Sequence, residues 1–173
     1  LGFPSLVTQL SSAVVMITFN FLILGLAGNV GVAAYGVVAN LALIAVGLYT
    51  GVAQGAQPLL SRAWGQRDGE GLKRLTRWST GSVLALSLVT LAVILAFPGP
   101  IAALFNGEGD AVLQGIAEQG LRLYFLSSPF AAYNLLLATL FPSVERALPA
   151  HALSLLRGLV LLVPAAFAFA ALW

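Results

Sequence analysis

LGFPSLVTQLSSAVVMITFNFLILGLAGNVGVAAYGVVANLALIAVGLYTGVAQGAQPLLS, residues 1–61, contains no Asp, Glu, Lys or Arg; the first charge in the chain is Arg62. A helix rises about 1.5 Å per residue, so about 20 residues cross a hydrocarbon core roughly 30 Å thick. The run therefore holds two crossings, expected at 4–27 and 32–60, separated by Gly28-Asn29 and Gly31. Pro4 suits the first helical turn, where its missing N–H costs nothing.

The rest of the chain repeats the pattern. A polar, glycine-rich segment, Gly65-Gln66-Arg67-Asp68-Gly69-Glu70-Gly71, leads to a third helix expected at 72–97 and stopped by Pro98-Gly99-Pro100. Ile101 to Phe105 fits a short interfacial turn. Asn106-Gly107-Glu108-Gly109 reads as a loop, and Asp110 as the N-cap of a fourth helix, 111–141, kinked at Pro129. A fifth helix is expected at 149–173, bending near Pro164.

Composition gives the same class. Hydrophobic residues make up 60% of the 173 and charged residues 8%, against roughly 25% charged in a soluble domain. Such a chain cannot cover a water-facing surface, so its outer face meets lipid; the fold class is all-α integral membrane. The net charge of +2 gives no reason to expect a nucleic-acid partner. With no cysteine and the single His151, disulfides, thiol nucleophiles and His-cluster metal sites are excluded. The opening apolar stretch is longer than the roughly 7–15 residue core of a signal peptide. It reads as a cut made in a longer protein.

Five of the eight Lys and Arg (Arg62, Arg67, Lys73, Arg74, Arg77) flank the turn between helices two and three, and Arg146 lies between helices four and five. The turns after helices one and three carry none. The positive-inside rule then puts the 2–3 and 4–5 turns in the cytoplasm, with helix one entered from that side. Trp64 and Trp78 beside the basic turn are interface anchors.

Polar groups at membrane depth need partners or a cavity. Gln9, Ser12, Met16 and Asn20 share one face of helix one. Helix two offers Asn40, Tyr49, Gln54 and Gln57; helix four offers Tyr124, Ser127, Ser128, Tyr133, Asn134 and Thr139. Met16, Asn20, Asn40, Gln54, Tyr133 and Asn134 are the candidates to line a cavity of neutral polar and aromatic groups. The bland alternative is interhelical hydrogen bonds worth about 0.6 kcal/mol each. Gly47, Gly51 and Gly55 form overlapping small-xxx-small spacings that let a neighbouring helix approach. Glu118 and Arg122 are an i,i+4 pair, either a gate or a self-neutralising structural pair. Arg157 is expected to snorkel toward Glu145 or the end of helix four. Helices one, two, three and five contain no acid, whereas an ion-coupled carrier buries a carboxylate. No nucleophile–base pair, metalloprotease motif or phosphate loop supports an enzyme.

The strings Gly2-Phe3-Pro4-Ser5, Phe19-Asn20, Val32-Ala33-Ala34-Tyr35-Gly36-Val37, Asn40 and Gly51-Val52-Ala53-Gln54-Gly55-Ala56-Gln57-Pro58-Leu59 resemble the MATE (multidrug and toxic compound extrusion) family. Ser154-Leu155-Leu156-Arg157 followed by Pro164 resembles that family's eleventh helix. The resemblance implies two six-helix lobes around a central cavity. It makes these five helices the seventh to eleventh, a C-terminal lobe whose N-terminal lobe and final helix are missing. In one branch of the family an acid in the seventh helix serves the coupling cation; here Asn20 is that helix's central polar group. The pattern resembles the branch whose coupling Asp lies in the first helix, so the site for H⁺ or Na⁺ is expected in the missing lobe and no other cofactor is implied. The resemblance implies an antiporter of small amphipathic or cationic substrates, with membrane lipid and the missing lobe as its partners. The alternatives are a lipid-linked oligosaccharide or polysaccharide flippase of the same wider superfamily, for which Arg122 and Arg157 are the cationic candidates, and a non-transporting scaffold.

Overall fold

The computed structural model describes residues 2–143, with side chains at Ala13 and from 16 to 142. The expected fifth helix, and with it Glu145, Arg146, His151 and Arg157, lies outside the described residues. Five helical elements follow one another: α1 (Gly2–Gly65), α2 (Gly69–Ala96), α3 (Pro98–Ala103), α4 (Ala111–Phe125) and α5 (Ser128–Ser143). No strand occurs among the described residues.

α1 is two helices joined without a loop. At Gly28 the backbone takes φ 64° and ψ −159°, a region essentially closed to residues with a β-carbon. One residue thus separates an arm 2–27 from an arm 29–65. The arms pack back against each other: the Phe19 and Tyr35 rings stack with centroids 6.2 Å apart. A β-carbon at Gly31 would fall on the Ala27 methyl and 3.2 Å from Ile23 Cγ2. The expected break at Gly28-Asn29 is therefore present, and its two glycines do different work. Gly28 makes the turn, and Gly31 lets the arms touch.

The second arm runs five residues past its expected end at 60, carrying Pro58 on an exposed face. It ends in a Schellman motif: Asp68 N–H donates to Ala63 O and Arg67 N–H to Trp64 O, both at 3.0 Å. Arg67 holds the left-handed position, φ 55°, that glycine usually takes. Asp68 then caps α2, its Oδ1 accepting from Gly71 N at 2.8 Å. Because one residue closes one helix and opens the next, α2 begins at Gly69 rather than 72.

α2 ends at Ala96, and Pro98 opens the short α3 at its first position. Asp110 caps α4 as expected, accepting from Val112 N at 2.7 Å and Leu113 N at 3.2 Å. α4 and α5 are bent by 51°. The break falls at Leu126-Ser127, and Pro129 sits in the first turn of α5, where no N–H is required. Backbone hydrogen bonds from Ser127 to Tyr124 (3.1 Å) and from Ala131 to Ser127 (3.0 Å) carry the chain through the bend.

The core is built from small residues. Ala34, Val38, Ala45, Tyr49, Ala53 and Leu60 form a buried stripe on the second arm. Against it pack Val83 and Ile94 of α2, Ala117, Leu121 and Phe125 of α4, and Ala132 and Leu136 of α5. A β-carbon at Gly120 would lie 3.1 Å from Val38 Cγ2, so α4 rests almost directly on the second arm. Helices in lipid gain nothing from hiding apolar surface among themselves, and close contact between small residues is what joins them. By length and apolarity the segments Met16–Gly65 and Gly69–Ala96 can each cross a membrane, and α4 with α5 forms one broken span.

Candidate functional site

The face of the second arm opposite the buried stripe carries Asn40, Gly47, Gly51, Gln54 and Pro58, all exposed. Seven and fourteen residues bring a helix back to within about 20–40° of the same direction, so Asn40, Gly47 and Gln54 lie one above another. A β-carbon added at Gly47, Gly51 or Gly55 would meet nothing within 4 Å. The sequence expectation that these glycines admit a neighbouring helix is not met among the described residues, because they point away from the core that Ala45, Tyr49 and Ala53 enter. The stripe is smooth, polar at both ends and open.

The other candidates are on outer surfaces too. Met16 is 57% exposed and Tyr133 41%, Asn134 is exposed, and Asn20 is half-buried. No hydrogen bond or ring contact joins any two of the six apart from Asn20 Nδ2, which donates to Met16 O at 2.9 Å. Asn40 Nδ2 does the same to Gly36 O, also at 2.9 Å. These amides satisfy their donors on their own helices and do not tie helices together. Ser79, Thr90 and Thr139 likewise donate to carbonyls four residues back. Among the described residues, the side-chain bonds of Asn20 and Asn40 are thus made within their own helices.

Among the described residues, two polar side chains are buried without a partner: Tyr49 Oη, in a residue 2% exposed, and Ser128 Oγ at the α4–α5 bend. Sequence reading placed both among polar candidates without distinguishing them, since burial depends on which face the neighbouring helices take.

Glu118 and Arg122 form no ion pair among the described residues; the ion pair there is Lys73–Glu70, at 3.2 Å on an exposed surface. Glu118 turns to Gln114 instead. Gln114 Nε2 donates to Glu118 Oε1 at 2.8 Å and to Gly99 O at 2.9 Å, while its Oε1 accepts from Asn106 Nδ2 at 3.2 Å. Asn106 in turn donates to Asp110 O at 2.8 Å and accepts from Asp110 N at 3.0 Å. This knot fixes α3 and the 104–110 loop to α4 at the end remote from the basic turn. The i,i+4 spacing brought Glu118 near Arg122 in register, but Gln114, one turn earlier on α4 itself, supplies the donor. Among the described residues no group of three or more His, Cys, Asp or Glu is placed to hold a metal ion.

A family model described as MatE matches residues 4–168 of the chain. Comparison with curated proteins returns no match. Among solved structures the chain is similar to a multidrug resistance MATE family transporter of the MOP superfamily in its outward-facing conformation, at TM-score 0.87 and 23% identity, covering 98% of this chain and 38% of that one. It is similar to an inward-facing conformation of such a transporter at TM-score 0.85 and 22% identity, covering 94% and 37%. A third similar structure is a MOP superfamily transporter from Pyrococcus furiosus, for which reverse polarity of the binding pocket suggests a different function (TM-score 0.85, 24% identity, 98% and 38% covered). The likeness at these identities establishes the fold, and the chain spans 37–38% of the length of these three structures.

Proposed function

The chain belongs to the MatE family, and from that premise we propose that it is the C-terminal lobe, helices seven to eleven, of a secondary antiporter that expels amphipathic or cationic compounds by alternating access. The observation that carries this reading is the open face of the second arm. Met16 and five neutral polar or aromatic candidates lie on outer or half-buried positions, and the stripe from Asn40 to Gln54 is open among the described residues. Polar groups and open glycines at membrane depth belong where a second body and water face them. The N-terminal lobe is that body in this account.

Alternating access needs lobes that keep their shape while they rock. The similarity to outward- and inward-facing structures at TM-scores of 0.87 and 0.85 supports a lobe that moves as a unit. The coupling ion, H⁺ or Na⁺, is assigned to the N-terminal lobe, because the two acids in the described spans are both engaged: Glu70, exposed at the start of α2, pairs with Lys73, and Glu118 Oε1 accepts from Gln114. The basic 62–77 end is assigned to the cytoplasm of the cell membrane, and a reporter fused within 66–70 reads this out.

The test is substrate-specific. Asn20→Leu, Gln54→Leu and Asn134→Leu in the intact protein are expected to change which compounds are exported more than they change protein abundance. Resistance profiles against several drugs, normalised to membrane protein level, measure it. A uniform loss across drugs in step with falling protein would return these residues to a packing role.

A further inference from the structure

The basic end of the molecule holds a feature that transport does not require. Residues 62–77 carry Arg62, Arg67, Lys73, Arg74 and Arg77 against Asp68 and Glu70, a net +3 in a chain whose total is +2. The structure shows where the two carboxylates go. Glu70 pairs with Lys73 at 3.2 Å, and Asp68 is taken up in capping α2 through Gly71 N at 2.8 Å. Arg62, Arg67, Arg74 and Arg77 remain, exposed and without an ion-pair partner among the described residues. Between the end of the second arm and the start of α2 lies a half-open cleft of about 550 Å³, lined by Trp64, Gly65, Arg67, Asp68 and Leu72 among others. That volume is in the ordinary range for a small-molecule site, about 300–1,000 Å³. Trp64 is 41% exposed and Trp78 71%, and indole rings of this kind settle at the headgroup level of a bilayer.

Arg67 is the informative residue. It occupies the left-handed C′ position of the Schellman motif, φ 55°, where glycine fits without strain and a residue with a β-carbon is disfavoured. The turn would be better made by glycine, and Gly65 and Gly69 stand two residues to either side. Arg67 and Trp64 line this cleft, the Asp68 carboxylate in the same lining is committed to the α2 cap, and Arg62, Arg74 and Arg77 are exposed at the same end of the molecule; that set is arranged for an anion at the membrane surface. The N-terminus of α2 itself is not that site, since the Asp68 carboxylate fills it.

We propose that this cavity binds the phosphate of an anionic phospholipid. The Arg67 guanidinium meets the phosphate, Trp64 and Leu72 receive the glycerol and upper acyl chain, and Arg62 and Arg74 supply the surrounding positive field. A basic pocket of this kind between membrane helices is suited to such headgroups, each nearby cation contributing about 1 kcal/mol, or about fivefold in affinity. The inference needs only the membrane embedding of the fold, and it stands whichever way the chain is oriented and whatever is transported.

The experiment uses the intact protein in a neutral detergent, titrated with phosphatidylglycerol, phosphatidylcholine or inorganic phosphate. Bound lipid is read by native mass spectrometry and stability by thermal melting. Phosphatidylglycerol is expected to bind and raise the Tm, phosphatidylcholine and inorganic phosphate to do neither. Arg67→Gly is expected to lower phosphatidylglycerol occupancy about fivefold while its lipid-free Tm equals or exceeds that of the parent, because glycine suits the turn. Arg74→Gln, which leaves the turn untouched, is expected to weaken binding in the same direction. Equal phosphatidylglycerol binding by the parent and Arg67→Gly would overturn the proposal, as would an equal Tm rise with phosphatidylcholine. An equal rise with inorganic phosphate would overturn the lipid assignment in favour of a free-anion site.

Discussion

At the residue scale the membrane-embedded polar groups divide by what they touch. Asn20 and Asn40 bond to carbonyls of their own helices, so exposing them costs the bundle nothing and leaves their oxygens available outward. Tyr49 is the opposite case, a hydroxyl in the core with no partner. An unmade buried hydrogen bond costs about 1–3 kcal/mol. Tyr49→Phe is therefore expected to stabilise the protein by about 1 kcal/mol, measured as a higher melting temperature in detergent; a loss of stability would mean the hydroxyl has a role that the folded chain does not account for. Glu118 is engaged rather than free. Gln at this position keeps an oxygen to accept from Gln114, so Glu118→Gln is expected to fold normally and to leave ion-driven efflux largely intact. Transport abolished with normal membrane expression would put the coupling carboxylate in this chain.

At the scale of elements, single residues decide where helices begin and turn. Gly28 reverses the chain with no loop at all, at a φ and ψ that only glycine tolerates. Gly28→Ala is expected to destabilise the hairpin by roughly 1–3 kcal/mol, seen as a lower melting temperature and less protein in the membrane. Unchanged stability would mean that the arms are not held at this sharp reversal. Much of this was legible in the sequence. The charge-free length of 1–61 required two crossings, Gly28-Asn29 marked their boundary, Asp110 announced α4, and Pro129 marked the bend to within three residues. Other features were hidden for physical reasons. The cap at Asp68 lay inside a glycine-rich string that reads as loop, where a β-carbon at Gly71 would come within 2.7 Å of Asp68 Cγ and push the capping side chain aside. The Asn106–Gln114–Glu118 knot depends on α3 folding back onto α4, which no local spacing reports. Gly47, Gly51 and Gly55 were read as a packing seam because spacing tells that small residues share a face, and not which way the face looks.

For the whole molecule the central claim is that one face of this helical set borders a water-filled path shared with a second lobe. The core and the open stripe lie on opposite sides of the same arm, Ala45, Tyr49 and Ala53 inward and Asn40, Gly47 and Gln54 outward. The chain has no cysteine, so single cysteines report their surroundings without interference from within it. The decisive measurement is labelling by a water-soluble maleimide of the intact protein in membranes, with cysteine placed in turn at Asn40, Gly47, Gln54 and, for comparison, Ala45 and Ala53. The account predicts labelling at Asn40, Gly47 and Gln54, slowed by a transported compound, and none at Ala45 or Ala53. If positions 40, 47 and 54 stay as unreactive as 45 and 53 while a cysteine in the 66–70 turn labels freely, the stripe faces lipid or protein and the account is contradicted.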